Sequence, residues 1–221
     1  MEIINQIQRE VIEFFPQIAD SERFYLTGGT ALSYFYLKHR RSNDLDFFTS
    51  EEEIILPFSY RIEEGLKAHK ADIQRQRGLH SFVELLVEKG REATIIHLAV
   101  DAAFHLQPLK EFAEYPGLKI DSLDDIAVNK LLALFGRATL RDFIDVYFLV
   151  KKSGFKPEEL LAKAKIKDPG FDLYWLGVAL ERINTFNNNS PEMFLLAAPL
   201  AFEDILSFFN QWRKEIATKI A

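Results

Sequence analysis

Apolar residues recur at helical spacing from the start of the chain, where Ile3, Ile4, Ile7, Val11, Phe14 and Phe15 share one face. That period predicts an amphipathic helix closing near Pro16. Phe24-Tyr25-Leu26 then reads as a short strand running into Thr27-Gly28-Gly29-Thr30, and helical spacing resumes over residues 31–39. The glycines therefore sit at a strand-to-helix turn. Leu45-Asp46-Phe47-Phe48, bounded by polar stretches, predicts a second strand, and a helix follows over residues 60–69. Residues 81–87 and 93–100 are strand-like runs either side of Glu88-Lys89-Gly90-Arg91, which predicts a hairpin ending at Asp101. After Ser122 the pattern is helical throughout. Ser122 and Asp125 make a weak N-cap signature ahead of Ile126, Lys130, Leu131 and Leu134, and Asn187-Asn188-Asn189-Ser190-Pro191 separates helices near 173–186 and 200–220. The change of period divides the chain into a mixed region, 1–121, and a helical region, 122–221. The fold class is α+β with an α/β-type core: a small mixed sheet flanked by helices.

Composition narrows the chemistry. With 221 residues, 48% hydrophobic, 27% charged and 20 phenylalanines, the chain can bury a sizeable core. Zero cysteines exclude disulfides, thiolate nucleophiles and sulfur-ligated metals, and the five histidines are scattered. A net charge of −6 argues against a broad electrostatic grip on nucleic acid and leaves room only for a local basic groove. Lys151, Lys152, Lys163, Lys165 and Lys167 are candidates for one, and read equally well as solvated lysines. No apolar run approaches the ~20 residues of a membrane span, and charged residues interrupt the N-terminal segment. The expectation is a cytoplasmic protein without a membrane partner.

Two features carry chemistry. Asp44 and Asp46 lie at the entrance to a strand, two residues apart, so their carboxylates share a face while Leu45 points the other way. Adjacent anions of this kind are usually relieved by a hard divalent cation, although a solvated turn is the common alternative. Asp101, closing an apolar strand, is the candidate third carboxylate, or else a turn or cap residue. The bare Gly28-Gly29 backbone ahead of a helix admits a phosphate, with Thr27 and Thr30 adding hydroxyls; a plain tight turn is the alternative. Were the helix to continue across Gly136, Lys130, Arg137 and Arg141 would form one stripe, facing triphosphate oxygens or pairing with nearby acids such as Asp145. His97, in an apolar strand, reads as a satisfied and partly buried histidine. The run Tyr34, Phe35, Tyr36 reads as packing.

The order strand, Gly-Gly turn, helix, Asp-x-Asp strand and later single Asp resembles the nucleotidyltransferase superfamily related to DNA polymerase β. More closely, GGTALSYFYLKHRRSNDLDFFTS resembles motif I of the AbiEii/AbiGii toxin family, and NKLLALFGRATLRDFIDVYFL resembles its helical motif with Lys130, Arg137, Asp142 and Asp145. The resemblance implies a nucleotidyltransferase-like fold whose helical region completes the active site. It implies transfer of a nucleotide from a nucleoside triphosphate to an acceptor hydroxyl, with Mg²⁺ or Mn²⁺ held by Asp44, Asp46 and Asp101. Asp101, Lys130 and Asp142 join the Asp44–Asp46 pair as catalytic residues, and Gly28, Gly29, Thr30, Arg40, Ser42, Arg137 and Arg141 as nucleotide ligands. It further implies the toxin of a toxin–antitoxin or abortive-infection pair, with a separate antitoxin protein as partner and a tRNA or protein acceptor. A small-molecule acceptor such as an antibiotic, or a non-catalytic nucleotide-binding module, are the alternatives the residues leave open.

Overall fold

The computed structural model describes residues 2–101 and 104–220. Asn5 opens the first helix (α1, Gln6–Phe14): its side chain accepts from the Gln8 backbone N–H at 2.8 Å, and Gln8 Oε1 accepts from the Asn5 N–H at 3.0 Å. This reciprocal cap satisfies two donors that a helix start leaves open. The next turn, Phe15–Gln17, contains Pro16 and carries Phe15 into an aromatic core, stacked on Phe47 at 3.7 Å and edge-on to Phe24.

The first strand (β1, Tyr25–Thr27) turns at Gly28, whose φ is +73°, into a short helix (α2, Gly28–Ala31) that continues as a π-helix over Leu32–Leu37. There follow β2 (Asp44–Thr49), α3 (Ile55–Ala68), β3 (Asp72–Gly78), β4 (Phe82–Lys89) and β5 (Glu92–Val100). The five strands form one mixed sheet in the order β1-β2-β5-β4-β3, in which β2 and β5 are parallel and the other pairs antiparallel. The architecture is the α+β class expected. Alternation gives the sheet two unlike faces. Leu45, Phe47, Thr49, Thr94, Ile96 and Leu98 are buried on one, where α1 and α3 pack, while Asp44, Asp46, Phe48, Ile95, His97 and Ala99 lie half-buried on the other.

Strand β3 is absent from the periodicity because DIQRQRG is polar on both faces. It forms at the sheet edge, where it needs one partner only, and its charges discourage further pairing. Helix α3 begins five residues ahead of the expected 60, because Pro57 falls in its first turn, where a missing N–H costs no intrahelical bond.

The chain forms two compact units. The first is Met1–Tyr36 with Arg41–Leu123, and the second is Leu37–Arg40 with Asp124–Ala221. The second unit consists largely of α4 (Leu123–Arg137, from its second residue), α5 (Leu140–Ser153), α6 (Pro157–Lys167), α7 (Leu173–Glu181) and α8 (Phe202–Ile220). Phe143 of α5 meets Phe209 of α8 edge-on at 4.8 Å within its core. Helix α4 does continue across Gly136 but stops at Arg137, since Ala138 adopts a left-handed φ of +47° and Thr139 starts the next helix. The expected stripe is therefore corrected: Lys130 and Arg137 belong to α4, and Arg141 to α5. Among the described residues no helix is long and apolar enough to cross a membrane.

Candidate active site

A polar row crosses the half-buried sheet face. Thr27 stands opposite Asp46, Asp46 opposite His97, and His97 opposite Glu84, so the four side chains project on one side of β1, β2, β5 and β4. The His97 Nδ1 lies 2.8 Å from Asp46 Oδ1, and its Nε2 lies 3.3 Å from Glu84 Oε2. An ionised carboxylate can only accept, so Nδ1 carries a hydrogen in this arrangement. Burial opposes the imidazolium, yet the hydrogen bond to Asp46 and the charges of Asp46, Asp44 and Glu84 outweigh it and raise the His97 pKa above its usual value.

The Gly28 turn abuts the same carboxylate. A Cβ at Gly28 would fall onto the Asp46 carboxylate, 2.8 Å from its Cγ, so glycine is required both for the positive φ and for the close approach. Thr30 Oγ1 donates to the Asp44 carbonyl, tying the start of β2 to the turn. On the other side of β1, Thr27 Oγ1 donates to Asp121 Oδ2 at 2.8 Å, and Leu26 exchanges backbone bonds with Lys119 and Asp121 at 2.9 Å each. These contacts hold a three-residue strand in place from both edges.

The structure brings together Gly28, Asp44 and Asp46, with Gly29 and Thr30 in the turn, and adds His97 and Glu84. It does not bring Asp101 to them. Asp44 pairs with Ile95 and Asp46 with His97, which leaves Asp101 four residues farther along β5, about 13 Å at the rise of a strand. There its backbone N–H donates to Thr49 O at 2.9 Å and its Oδ2 accepts from Tyr25 Oη at 2.7 Å. The register of the parallel pair thus places Asp101 apart from Asp44 and Asp46. Ser42 is buried, and its carbonyl accepts from Gln8 Nε2 at 2.9 Å. His97 was hidden for the converse reason: alternation predicts which way it points, but only the pairing register says which β2 residue it meets.

Within the second unit, Asp145 is fully buried and gathers four donors. Arg40 Nε reaches Oδ1 at 2.6 Å and Arg40 NH2 reaches Oδ2 at 2.7 Å, while His39 Nε2 and Lys130 Nζ each lie at 2.8 Å. Burial alone would raise the Asp145 pKa; Arg40 and Lys130, together with the hydrogen bonds, hold it well below the usual carboxylate range. Burial lowers the pKa of His39, which as the neutral tautomer donates to Asp145 from Nε2. Arg40, expected among the nucleotide ligands, is 2% exposed and held bidentate by Asp145. This ion pair ties Leu37–Arg40 to the second unit.

Asp142 is likewise buried. It accepts from Thr139 Oγ1 at 2.6 Å and N at 3.3 Å, and from Arg137 Nε and NH2 at 2.9 and 2.8 Å. Burial opposes its ionisation, but the Arg137 and Thr139 bonds and the charges of Arg137 and Lys130 lower its pKa. It caps α5 and holds the guanidinium of Arg137, whose side chain is 57% exposed. The lysines offered as a basic groove have partners within their own unit. Lys163 pairs with Asp124, Lys167 with Asp125, Lys152 donates to Leu37 O, Lys165 to Pro169 O and Phe171 O, and Lys151 lies over the Phe208 ring.

Asp44 and Asp46 offer hard oxygen donors on a half-buried face beside a bare glycine turn. This set fits one Mg²⁺ or Mn²⁺, whose remaining positions water and phosphate oxygens would fill.

The model of the family described as "Nucleotidyl transferase AbiEii toxin, Type IV TA system" matches residues 12–211. An uncharacterised protein of Aquifex aeolicus (strain VF5), aq_aa25, is 30% identical over 224 residues, covering 97% of this chain and 98% of its own. Two crystal structures from Helicobacter pylori are similar in fold at 19% identity. One, of a nucleotidyltransferase candidate, has a TM-score of 0.61 over 97% of this chain and 93% of that one; the other, JHP933, has a TM-score of 0.56 over 97% and 90%.

Proposed function

The chain belongs to the AbiEii family of nucleotidyl transferase toxins, and from that membership we propose a Mg²⁺-dependent transfer of a nucleotide from a nucleoside triphosphate to an acceptor hydroxyl, as the toxin of a toxin–antitoxin pair. The observation that carries the reading is the packing of the Gly28 turn against Asp46, with Asp44 on the same face. Asp44 and Asp46 would hold the cation, and the Gly28-Gly29 backbone would lie beside the phosphates. The cation supplies charge neutralisation on the phosphoryl oxygens and alignment of the attacking hydroxyl. The acceptor oxygen forms a bond to the α-phosphorus, the α–β anhydride bond breaks, and pyrophosphate leaves with the electron pair. The hydroxyl proton passes to a carboxylate of the pair or to water. In the second unit, Arg137 presents a guanidinium oriented by Asp142, a geometry suited to phosphate.

The test is incubation with each α-labelled nucleoside triphosphate, Mg²⁺ and a cell extract separated into protein, RNA and small molecules. Label should enter one fraction with the wild type, and Asp46→Asn should reduce it at least about 10³-fold, the scale of losing several kcal/mol of metal-mediated stabilisation. Label entering none, or entering equally with the variant, would overturn the assignment. In a bacterial host, wild-type expression should slow growth, Asp46→Asn should relieve it, and co-expression of the antitoxin should do the same.

A further inference from the structure

The register that places Asp101 apart from Asp44 and Asp46 puts His97 in direct opposition to Asp46, and a further strand over, Glu84 in opposition to His97. The three side chains form one polar line, with Nδ1 hydrogen-bonded to Asp46 Oδ1 at 2.8 Å and Nε2 at ion-pair distance, 3.3 Å, from Glu84 Oε2. Phe82 packs against the ring at 5.5 Å between centroids with an interplanar angle of 33°, limiting its rotation. Asp46 is thereby fixed at one oxygen by His97 while its other oxygen, Oδ2, is the atom turned toward the Gly28 backbone.

We propose that His97 is the positioning residue of the metal-binding carboxylate: it clamps Asp46 Oδ1 so that Oδ2 is presented at the Gly28 turn, and Glu84 anchors the imidazole from the far side. This rests on the reading of Asp44 and Asp46 as the cation ligands. A free aspartate on an open sheet face samples several rotamers, and a ligand that must be re-ordered on binding gives up affinity. A hydrogen-bond partner behind a ligating group typically governs 10–100-fold in metal affinity or activity. His97 thus occupies, across the sheet, the place at which a third carboxylate was expected, and contributes orientation in place of ligation.

The experiment is Mn²⁺ binding in the presence of a non-hydrolysable nucleoside triphosphate, followed by calorimetry and by the spin-resonance signal of free Mn²⁺, on the full chain. Wild type, His97→Ala, His97→Asn, Glu84→Gln and Asp46→Asn are compared, with thermal melting as a control for folding. His97→Ala should weaken Mn²⁺ affinity about 10–100-fold. His97→Asn, whose amide N–H sits near the position of Nδ1, should recover most of that loss, and Glu84→Gln should give a smaller one. A purely structural histidine would lower the melting temperature without this rescue pattern in affinity. Unchanged Mn²⁺ affinity in folded His97→Ala, beside lost affinity in Asp46→Asn, overturns the positioning role while leaving the metal site intact. Absent Mn²⁺ binding by the wild type, or equal binding by Asp46→Asn, overturns the site itself and the inference with it.

Discussion

Two carboxylates of this chain, Asp46 and Asp145, illustrate opposite uses of the same group. Asp145 is fully buried, and Arg40, His39 and Lys130 engage both of its oxygens. Asp46 is half-buried on an open sheet face, has one histidine on Oδ1, and points Oδ2 at a glycine. Each histidine follows its carboxylate. Full burial among cations lowers the pKa of His39, whereas partial burial among anions raises that of His97. A buried carboxylate whose acceptor sites are filled organises structure; a half-buried one on a sheet face is available to a ligand.

The sharpest way to break the comparison is to remove the buried charge. Asp145→Asn leaves Arg40 and Lys130 buried without their anion, and should cost about 3–5 kcal/mol in urea unfolding. The equivalent change at Asp46, half-buried with a single histidine partner, should cost no more than about 1 kcal/mol. A similar loss at both positions would show that the sheet-face carboxylate is structural too.

Gly28→Ala should come next. A left-handed φ costs a non-glycine residue about 1–2 kcal/mol, and the added methyl displaces the Asp46 carboxylate, so Mn²⁺–nucleotide affinity should fall further than stability alone accounts for. Melting and calorimetry on one preparation separate the two effects, and an unchanged affinity would detach the turn from the site.

The two histidines should also titrate apart. For His39 the folded pKa lies below the unfolded value near 6.5, so its neutral burial favours folding above that value and the benefit is lost as pH falls through the window beneath it. For His97 the folded pKa is raised, so its contribution is fully present below about 6.5 and disappears as pH rises through the folded value. Histidine ring-proton shifts in the metal-free protein should place His97 above and His39 below the ordinary midpoint. The reverse order would contradict the two environments.

The smallest expected effect sharpens the account of the second unit. Thr139→Ala removes a hydroxyl donor to Asp142 at the start of α5 and should cost about 1 kcal/mol, the usual scale for a helix cap. Denaturation of this variant beside Asp142→Asn would tell whether the cap or the Arg137 pair dominates.

Much of the fold was legible in the chain because its signals are local. The strand-Gly-Gly-helix turn, the shared face of Asp44 and Asp46, the β4–β5 hairpin and the later helices all follow from apolar spacing and from residues with restricted backbone preferences. The Lys130, Asp142 and Asp145 set, by contrast, was picked out by its resemblance to the family's helical motif and not by spacing or composition. Where the signal was weak, local reading ran out: a polar edge strand at β3, and an alanine in place of glycine at the left-handed position between α4 and α5.

What tertiary structure alone decided is who meets whom. Sequence period determines which face a side chain takes, but not which residue of a distant strand lies beside it, because register depends on both partners and on the chain between them. That one undetermined quantity exchanged Asp101 for His97 beside Asp46. Burial was the other. Arg40 reads as a cation beside a metal-site motif, and only its burial on Asp145 reveals a structural ion pair, since whether a charge is solvated or desolvated is set by residues more than a hundred positions away.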